Sequence, residues 1–415
     1  MSGVQRQADI KQNYQQRVVA IGDYLYIVEG VVRWGLYDLL NGTLTLIDKK
    51  SGEMLNYLSQ LEESSPSERR IFLKKYAKEV WKYAEKLNIA DRFFEHDSSL
   101  GQEDFPLDLL WLEITDVCNE KCIHCYADNG PMRKSVMPLE LARDIILQGR
   151  KENFRKIQFV GGEPFTHRNL WEMVRYAYEL SYPEIEIYTN LTLLKADDFR
   201  KIKSLGIRIA TTLLGPNAEV HDLCTGILGS FERWYKNMKA VQATGIRYRI
   251  GIVRMKQNEC FMKDIENFLR SERFLADDEP FEPDDIRPSG RGSNKYLQPS
   301  KFLDYGLYLT VNPRFFHGSR QYNPCWRGEI AVAANGDVFP CVFSRKFVVG
   351  NLKKERMCDV IERLKRTFWK ITLDKIEKCQ DCELRYACMD CRALSLNTGK
   401  GLYGGPIRCN HDPYR

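Results

Sequence analysis

Cysteine placement constrains this chain more than any other feature. Of thirteen cysteines in 415 residues, none falls before position 118. Three then crowd into one short stretch, Cys118, Cys122 and Cys125, and of the eight from Cys325 to Cys409 all but Cys358 form a spaced series. The opening, MSGVQRQADIKQNYQQ, is polar and lacks the apolar centre of a signal peptide. No run approaches the roughly 18 apolar residues of a membrane helix. The expected location is therefore the cytoplasm, where thiols stay reduced and a disulfide framework does not form. Grouped cysteines there imply metal ligation or redox chemistry. The net charge of +6 is spread along the chain without a dense Lys/Arg run, which argues against nucleic acid or a membrane surface as partner.

Three zones follow from composition. Residues 1–95 lack cysteine. There Tyr24–Glu29 and Thr43–Asp48 read as strands, joined by segments holding Gly30, Gly35 and the Asn41-Gly42 turn. Helices are expected near Gly52–Leu61 and Ser67–Leu87, with Ser65-Pro66 marking the start of the second. Residues 107–310 alternate strands with helices. Leu110–Thr115, Ile157–Val160, Ile185–Tyr188, Ile207–Leu213 and Ile246–Val253 are short apolar runs, and Pro138 is placed to be a first-turn proline. Such alternation implies a parallel sheet that five or six units could curl into a partial barrel, with ligands at the C-terminal ends of its strands. Residues 320–415 are rich in cysteine and poor in periodicity, so metal is expected to hold them together.

Directly after the first barrel strand comes Cys118-Asn-Glu-Lys-Cys122-Ile-His-Cys125-Tyr126. Three thiolates on one tight loop can hold three irons of a four-iron cubane and leave the fourth open to a substrate. Zinc, with His124 as fourth ligand, is the alternative for this loop alone. Gly161-Gly162-Glu163-Pro164 follows the second strand, and Asn190 ends the third. Two glycines would let the backbone approach a cofactor, while the carboxylate and carbonyls could accept from an ammonium group.

These motifs resemble the radical S-adenosylmethionine (SAM) superfamily. The resemblance implies a [4Fe-4S] cluster on Cys118, Cys122 and Cys125 whose open iron is chelated by SAM. It puts Tyr126 near the adenine, Gly161, Gly162, Glu163 and Pro164 beside the methionyl part, and makes Asn190 a polar contact. Leu213-Leu214-Gly215 departs from the acidic residue that relatives often have before this glycine.

The tail reads Cys325-x10-Gly336-x4-Cys341, then Cys379-x2-Cys382-x5-Cys388-x2-Cys391, then Cys409. It resembles the SPASM extension of peptide-modifying radical SAM enzymes, which houses auxiliary iron–sulfur clusters. The hairpin-like Ala334–Cys341 and the run Cys382-Glu-Leu-Arg-Tyr-Ala-Cys388 carry the likeness. It implies a first auxiliary cluster on Cys325, Cys341 and Cys391, and a second on Cys379, Cys382, Cys388 and Cys409. Two departures stand out: the final gap of two residues where three are usual, and no cysteine just upstream of Cys325. The first auxiliary cluster would then have an open iron or recruit Cys224, Cys260 or Cys358. A zinc knuckle is the alternative, although seven cysteines exceed one tetrahedral site.

The expected architecture is α/β: a partial (β/α)6 TIM-like barrel between an N-terminal winged-helix-like α+β domain and a C-terminal cysteine-rich domain. The first zone resembles the peptide-recognition domains of ribosomal-peptide maturases, which bind a leader peptide as an added strand. Arg287-Pro-Ser-Gly290-Arg-Gly292 resembles a segment common in these maturases. The whole likeness implies an oxidoreductase that cleaves SAM to methionine and a 5′-deoxyadenosyl radical. It would use an external flavodoxin- or ferredoxin-like donor and cross-link a precursor peptide. A thioether at cysteine is favoured, and a carbon–carbon or carbon–oxygen link is the nearest rival. From other classes come formylglycine formation on a partner protein and a zinc-stabilised binding protein.

Overall fold

The computed structural model describes residues 17–61, 64–95, 107–304 and 309–415. The polar opening segment lies outside them. Four strands, β1 Val18–Gly22, β2 Leu25–Glu29, β3 Arg33–Asp38 and β4 Thr43–Asp48, form an antiparallel meander in chain order. Two were expected. Of the others, β1 precedes the first expected strand, and β3 occupies the glycine-bearing connection, where alternating Trp34 and Leu36 supply its inward face.

Three helices follow: α1 Lys49–Ser59, α2 Pro66–Tyr76 and α3 Lys78–Lys86. Asp48 caps α1, accepting from Ser51 N, so this helix starts three residues before the expected Gly52. Ser65 caps α2 in a reciprocal box with Glu68, and Pro66 sits in its first turn. The single helix expected over 67–87 is broken at Ala77, whose backbone (φ −124°, ψ 58°) leaves the helical region. The break lets both halves bury residues, Leu73 on one and Val80 and Ala84 on the other, against Ile21, Trp34 and Leu55.

Six parallel strands come next: β5 Leu109–Thr115, β6 Lys156–Gly161, β7 Glu184–Tyr188, β8 Arg208–Leu213, β9 Tyr248–Arg254 and β10 Asp284–Asp285. They lie side by side in chain order, with helices α4 Leu139–Lys151, α5 Leu170–Glu179, α6 Ala196–Ser204, α7 Ala218–Thr225, α8 Ser230–Thr244 and α9 Met262–Ser271 between them. This is the sheet of a partial barrel. Pro138 is the cap of α4 rather than a first-turn residue; its carbonyl accepts from Ala142 N at 3.0 Å.

The tail is less independent than its composition suggests. Strand β11 Glu329–Val332 pairs parallel with β5, and β12 Asp337–Phe339 and β13 Gly350–Asn351 continue antiparallel, giving nine strands in one sheet. Between β10 and β11 lies α10 Pro313–Gln321; beyond β13 come α11 Met357–Arg366 and α12 Arg392–Asn397. Ile330, Val338, Val360 and Leu364 join the same apolar core as Leu110 and Ile157 of the barrel. Apolar burial thus supports this zone alongside any metal. Among the described residues no helix is long and apolar enough to cross a membrane.

Candidate active site and cluster-binding loops

The loop after β5 carries the first three cysteines, and its backbone is pinned by its own later turn, by α7 and by the Ser289–Arg291 segment. Cys118 N donates to Gly130 O (3.3 Å), Lys121 N to Thr225 O (3.0 Å) and Ile123 N to Cys224 O (2.9 Å). Arg291 completes the clamp: its guanidinium reaches Cys122 O at 2.8 Å, Asp128 Oδ1 at 2.7 Å and Asn129 O at 2.7 Å. Ser289 Oγ donates to Tyr126 O at 2.9 Å, and Arg291 N donates to Cys125 O at 3.0 Å. A Cβ on Gly290 would sit 2.5 Å from Cys125 O, so only glycine lets these backbones meet. The Arg287–Gly292 segment is therefore the brace of the cysteine loop.

The three thiols face a cavity of about 530 Å³ at the C-terminal ends of the barrel strands. Backbone N–H groups point at two of the sulfurs: Glu120 N lies 3.4 Å from Cys118 Sγ and Asn129 N 3.3 Å from Cys125 Sγ. Burial pushes the Cys118 thiol up to about 12 and raises Cys122 as well. Each thus holds its proton until a metal displaces it. The only three such ligands within 4.8 Å of one another, among the described residues, are Cys382, Glu383 and His411. Three thiols on one loop facing a cavity fit a multi-iron cluster with one open iron. Burial drives His124 down to about 4, keeping it neutral.

The Gly161–Pro164 turn also has a packing basis within the protein. Gly161 adopts φ +138°, and a Cβ there would lie 2.3 Å from Thr115 O; at Gly162 it would lie 2.1 Å from Val117 O. The glycines let this turn press against the end of β5, where Gly162 N donates to Thr115 O at 2.7 Å. Glu163 is fully buried, and its carboxylate is already engaged. It accepts from Phe165 N at 3.0 Å, Thr189 Oγ1 at 2.8 Å and Asn190 N at 2.8 Å. Burial raises its carboxyl to about 7, with those donors pulling the other way. The side chain ties β6 to the end of β7. Gly161, Gly162 and Asn190 line the cavity. Asn190 is itself held, donating to Asn119 Oδ1 at 2.9 Å and accepting from Thr192 Oγ1 at 2.7 Å.

Tyr126 also lines the cavity, and its hydroxyl donates to Glu113 Oε1 at 3.0 Å. Arg345, from the tail, holds both Glu113 oxygens at 2.8 Å. Phe343 packs edge-on against the Tyr126 ring, centroids 5.3 Å apart. Deeper in, Arg249 of β9 pairs with buried Glu186 of β7 at 2.8 Å and lies over the Tyr188 ring at 5.3 Å.

The tail cysteines gather into two sets. Cys325, Cys341 and Cys391 form one set, near enough to act on one another electrostatically. Ser344 Oγ lies 3.2 Å from Cys341 Sγ. Cys379, Cys382 and Cys388 influence one another, and Cys409 acts on Cys382 and Cys388. None of the three solitary cysteines completes the first set. Cys224 packs with Leu214, Met255 and Ile286, Cys260 is exposed, and Cys358 donates to Asp359 on α11.

Several site residues carried no signal of their own in the sequence. Glu113 and Arg345 orient Tyr126, Asn119 and Thr192 orient Asn190, and Glu383 and His411 stand 3.3 Å apart beside Cys382. Only the Cys118–Cys125 spacing could have pointed to Asn119, which it encloses.

Comparison with known proteins agrees with this geometry. Residues 112–269 match the radical SAM superfamily and residues 325–383 the SPASM iron–sulfur cluster-binding domain. The chain is 24% identical over 336 residues to the antilisterial bacteriocin subtilosin biosynthesis protein AlbA of Bacillus subtilis (strain 168), covering 76% of this chain and 74% of that protein. It is 26% identical over 337 residues to the AdoMet-dependent heme synthase of Methanosarcina barkeri, covering 71% and 93%. The crystal structure of Streptococcus suis SuiB bound to precursor peptide SuiA superposes with a TM-score of 0.55 at 16% identity, covering 94% of this chain and all of that one. The molecule is an α/β enzyme with a radical SAM domain and a SPASM domain. Its cofactors are SAM, a [4Fe-4S] cluster and auxiliary iron–sulfur clusters.

Proposed function

We propose that this enzyme installs an oxidative cross-link, a thioether to a cysteine sulfur, in a ribosomally made precursor peptide. The carrying observation is the joining of three features in one molecule. A braced three-thiol loop faces a cavity, two further thiol sets lie behind it, and a separate antiparallel sheet packs on the second set. On this reading residues 1–95 recognise the peptide, 107–310 form the barrel and 320–415 hold the auxiliary clusters. The terminal strands β1 and β4 pair on one side only, among the described residues, so a leader peptide could add as a fifth strand.

When bound, the cluster on Cys118, Cys122 and Cys125 and its SAM supply reductive carbon–sulfur cleavage and a radical able to take hydrogen from a peptide carbon. The protein's own part is positional. Arg291 fixes the cysteine loop, Glu113 and Arg345 fix Tyr126 against the adenine side, and Asn119 and Thr192 hold Asn190. Phe343 and Val342 give the cavity apolar lining on the side of the tail, which would help keep water from a radical. A flavodoxin- or ferredoxin-like donor would supply the electron, and the cytoplasm is the compartment that keeps these thiols reduced. Carbon–carbon or carbon–oxygen linkage is the rival outcome at the same site. The likeness to a heme synthase supports a second reading, a tetrapyrrole substrate.

The test is 5′-deoxyadenosine formation by anaerobically reconstituted protein with SAM and reductant, beside a C118A/C122A/C125A variant. Product from the wild type alone supports the reading. No product from either, with zinc in place of iron, overturns it. Faster product formation with an added iron porphyrin, and none with candidate precursor peptides, would move the substrate to the tetrapyrrole class.

A further inference from the structure

Below the cysteine loop, neighbouring barrel strands present hydrogen-bond donors to the cavity that the chemistry above does not use. Arg249 of β9 grips Glu186 of β7 with two of its three nitrogens, Nε at 3.1 Å and Nη2 at 2.8 Å. Glu186 is fully buried, and Gln158 and Lys156 bind the same carboxylate. The guanidinium is thus fixed from behind, while its face lies over the Tyr188 ring. Its third nitrogen, Nη1, has no partner among the described residues. Arg249 lines the cavity with 39% of its side chain exposed, so that nitrogen is open to a ligand. Other cavity carboxylates do not compete for it: Asp284 pairs with Arg287, Asp285 with Arg254, and Glu282 is exposed.

Tyr188 and Thr212 add a further donor. Their hydroxyls lie 2.8 Å apart, and both residues line the cavity. Two hydroxyls carry two protons, and the bond between them uses one. Gly251 leaves room for the pair, since a Cβ there would lie 2.9 Å from the Tyr188 hydroxyl. Two N–H groups and one O–H match a ligand group that only accepts. A carboxylate is such a group, and it binds a guanidinium through charge-assisted hydrogen bonds.

Depth separates this pocket from the residues that line the cofactor end. Gln158 and Glu186 are register partners, and Gln158 stands three residues before Gly161. That is about 10 Å of strand below the glycine turn, the span of about three extended residues of a bound peptide.

We propose that Arg249, with the Tyr188–Thr212 hydroxyl pair, binds a carboxylate of the peptide substrate, an acidic side chain or the C-terminus close in sequence to the residue that reacts. This deepens the reading under Proposed function and rests on it for the peptide.

The test is equilibrium dialysis of the reconstituted, SAM-saturated full chain against two labelled probes, N-acetyl-Gly-Glu-Gly-amide and N-acetyl-Gly-Gln-Gly-amide. The wild type should bind the glutamate probe about tenfold more tightly. Arg249→Gln should abolish that preference and Arg249→Lys should keep part of it. Gly251→Ala, which displaces the Tyr188 hydroxyl without touching the Arg249–Glu186 pair, should reduce it. If Arg249→Gln fails to fold because Glu186 is left short of a partner, the E186Q/R249Q double variant carries no stranded charge and should show the same loss. Equal binding of the two probes by the wild type would overturn the proposal. So would a matching loss of SAM affinity in Arg249→Gln, which would assign the arginine to the cofactor's own carboxylate. Preference for mesoporphyrin over its dimethyl ester, with none between the peptides, would overturn it in favour of a tetrapyrrole carboxylate. Dialysis needs no turnover, so absence of 5′-deoxyadenosine beside an intact glutamate preference would sink the radical reading and leave this site standing.

Discussion

The Tyr37 hydroxyl of the amino-terminal sheet donates a hydrogen bond to the backbone carbonyl of Glu383, 2.8 Å away, in the loop between Cys382 and Cys388. Tyr37 is fully buried, and burial raises its hydroxyl, so it remains a donor. On the same face a Cβ on Gly35 would lie 2.8 Å from Glu383 O, and Arg385 donates to Glu29 O at 2.7 Å. The sheet and the second cysteine set therefore share one wall.

Removing this hydrogen bond should loosen that wall. Tyr37→Phe is expected to cost about 1 kcal/mol, since a buried carbonyl loses its donor while the ring still packs. Gly35→Ala should cost about 2 kcal/mol, because the Glu383 backbone must retreat. Thermal unfolding would show both losses, and chelator challenge should strip iron faster from Gly35→Ala. Wild-type rates of iron loss in that variant would refute the shared wall.

Gly161→Ala should be more severe. The added methyl meets Thr115 O, and φ of +138° is ill-suited to alanine. A loss of about 3 kcal/mol and of most SAM affinity is expected, by chemical denaturation and calorimetry. Gly206→Ala, where a Cβ meets nothing within 4 Å but φ is +64°, provides a comparison for backbone strain alone.

Arg345→Met leaves Glu113, a buried carboxylate, with Tyr126 as its remaining side-chain partner. The cost should be about 3 kcal/mol, dominated by the uncompensated charge. Stability should largely return in the E113Q/R345M double variant, whereas SAM binding should stay weak because Tyr126 has lost its anchor. Full recovery of binding in the double variant would show that Tyr126 needs no such orientation.

Acid sensitivity should come partly from His221. Burial lowers this imidazole from 6.5 to about 4, and it accepts from Leu214 N at 3.3 Å. The unfolded chain then takes up the proton more readily than the folded one. Stability is therefore full above pH 6.5 and drains away as pH falls towards 4, at up to about 1.4 kcal/mol per pH unit. His221→Asn keeps an acceptor but no titrating ring, so its loss of stability between pH 6.5 and 5 should be shallower than in the wild type. Parallel curves would exclude His221 as the cause.

The residues that sequence reading reached are those whose spacing is itself the signal. Cys118, Cys122 and Cys125 must share a loop because so few bonds separate them, and Gly161-Gly162 had to mark a close approach at the end of a strand. The strand–helix alternation likewise fixed a parallel sheet, because each amphipathic unit must bury its face on the next. Tertiary packing decided the rest. It turned the Glu163 carboxylate inward, joined the tail to the barrel through β5 and β11, and set Arg291 as a clamp 163 positions from its Asp128 partner. It also brought Arg408 onto Asp284, and Tyr37 onto Glu383. No local pattern encodes these contacts: a polar side chain finds its partner only when burial makes an unpaired charge or carbonyl costly, and burial is settled by the whole fold.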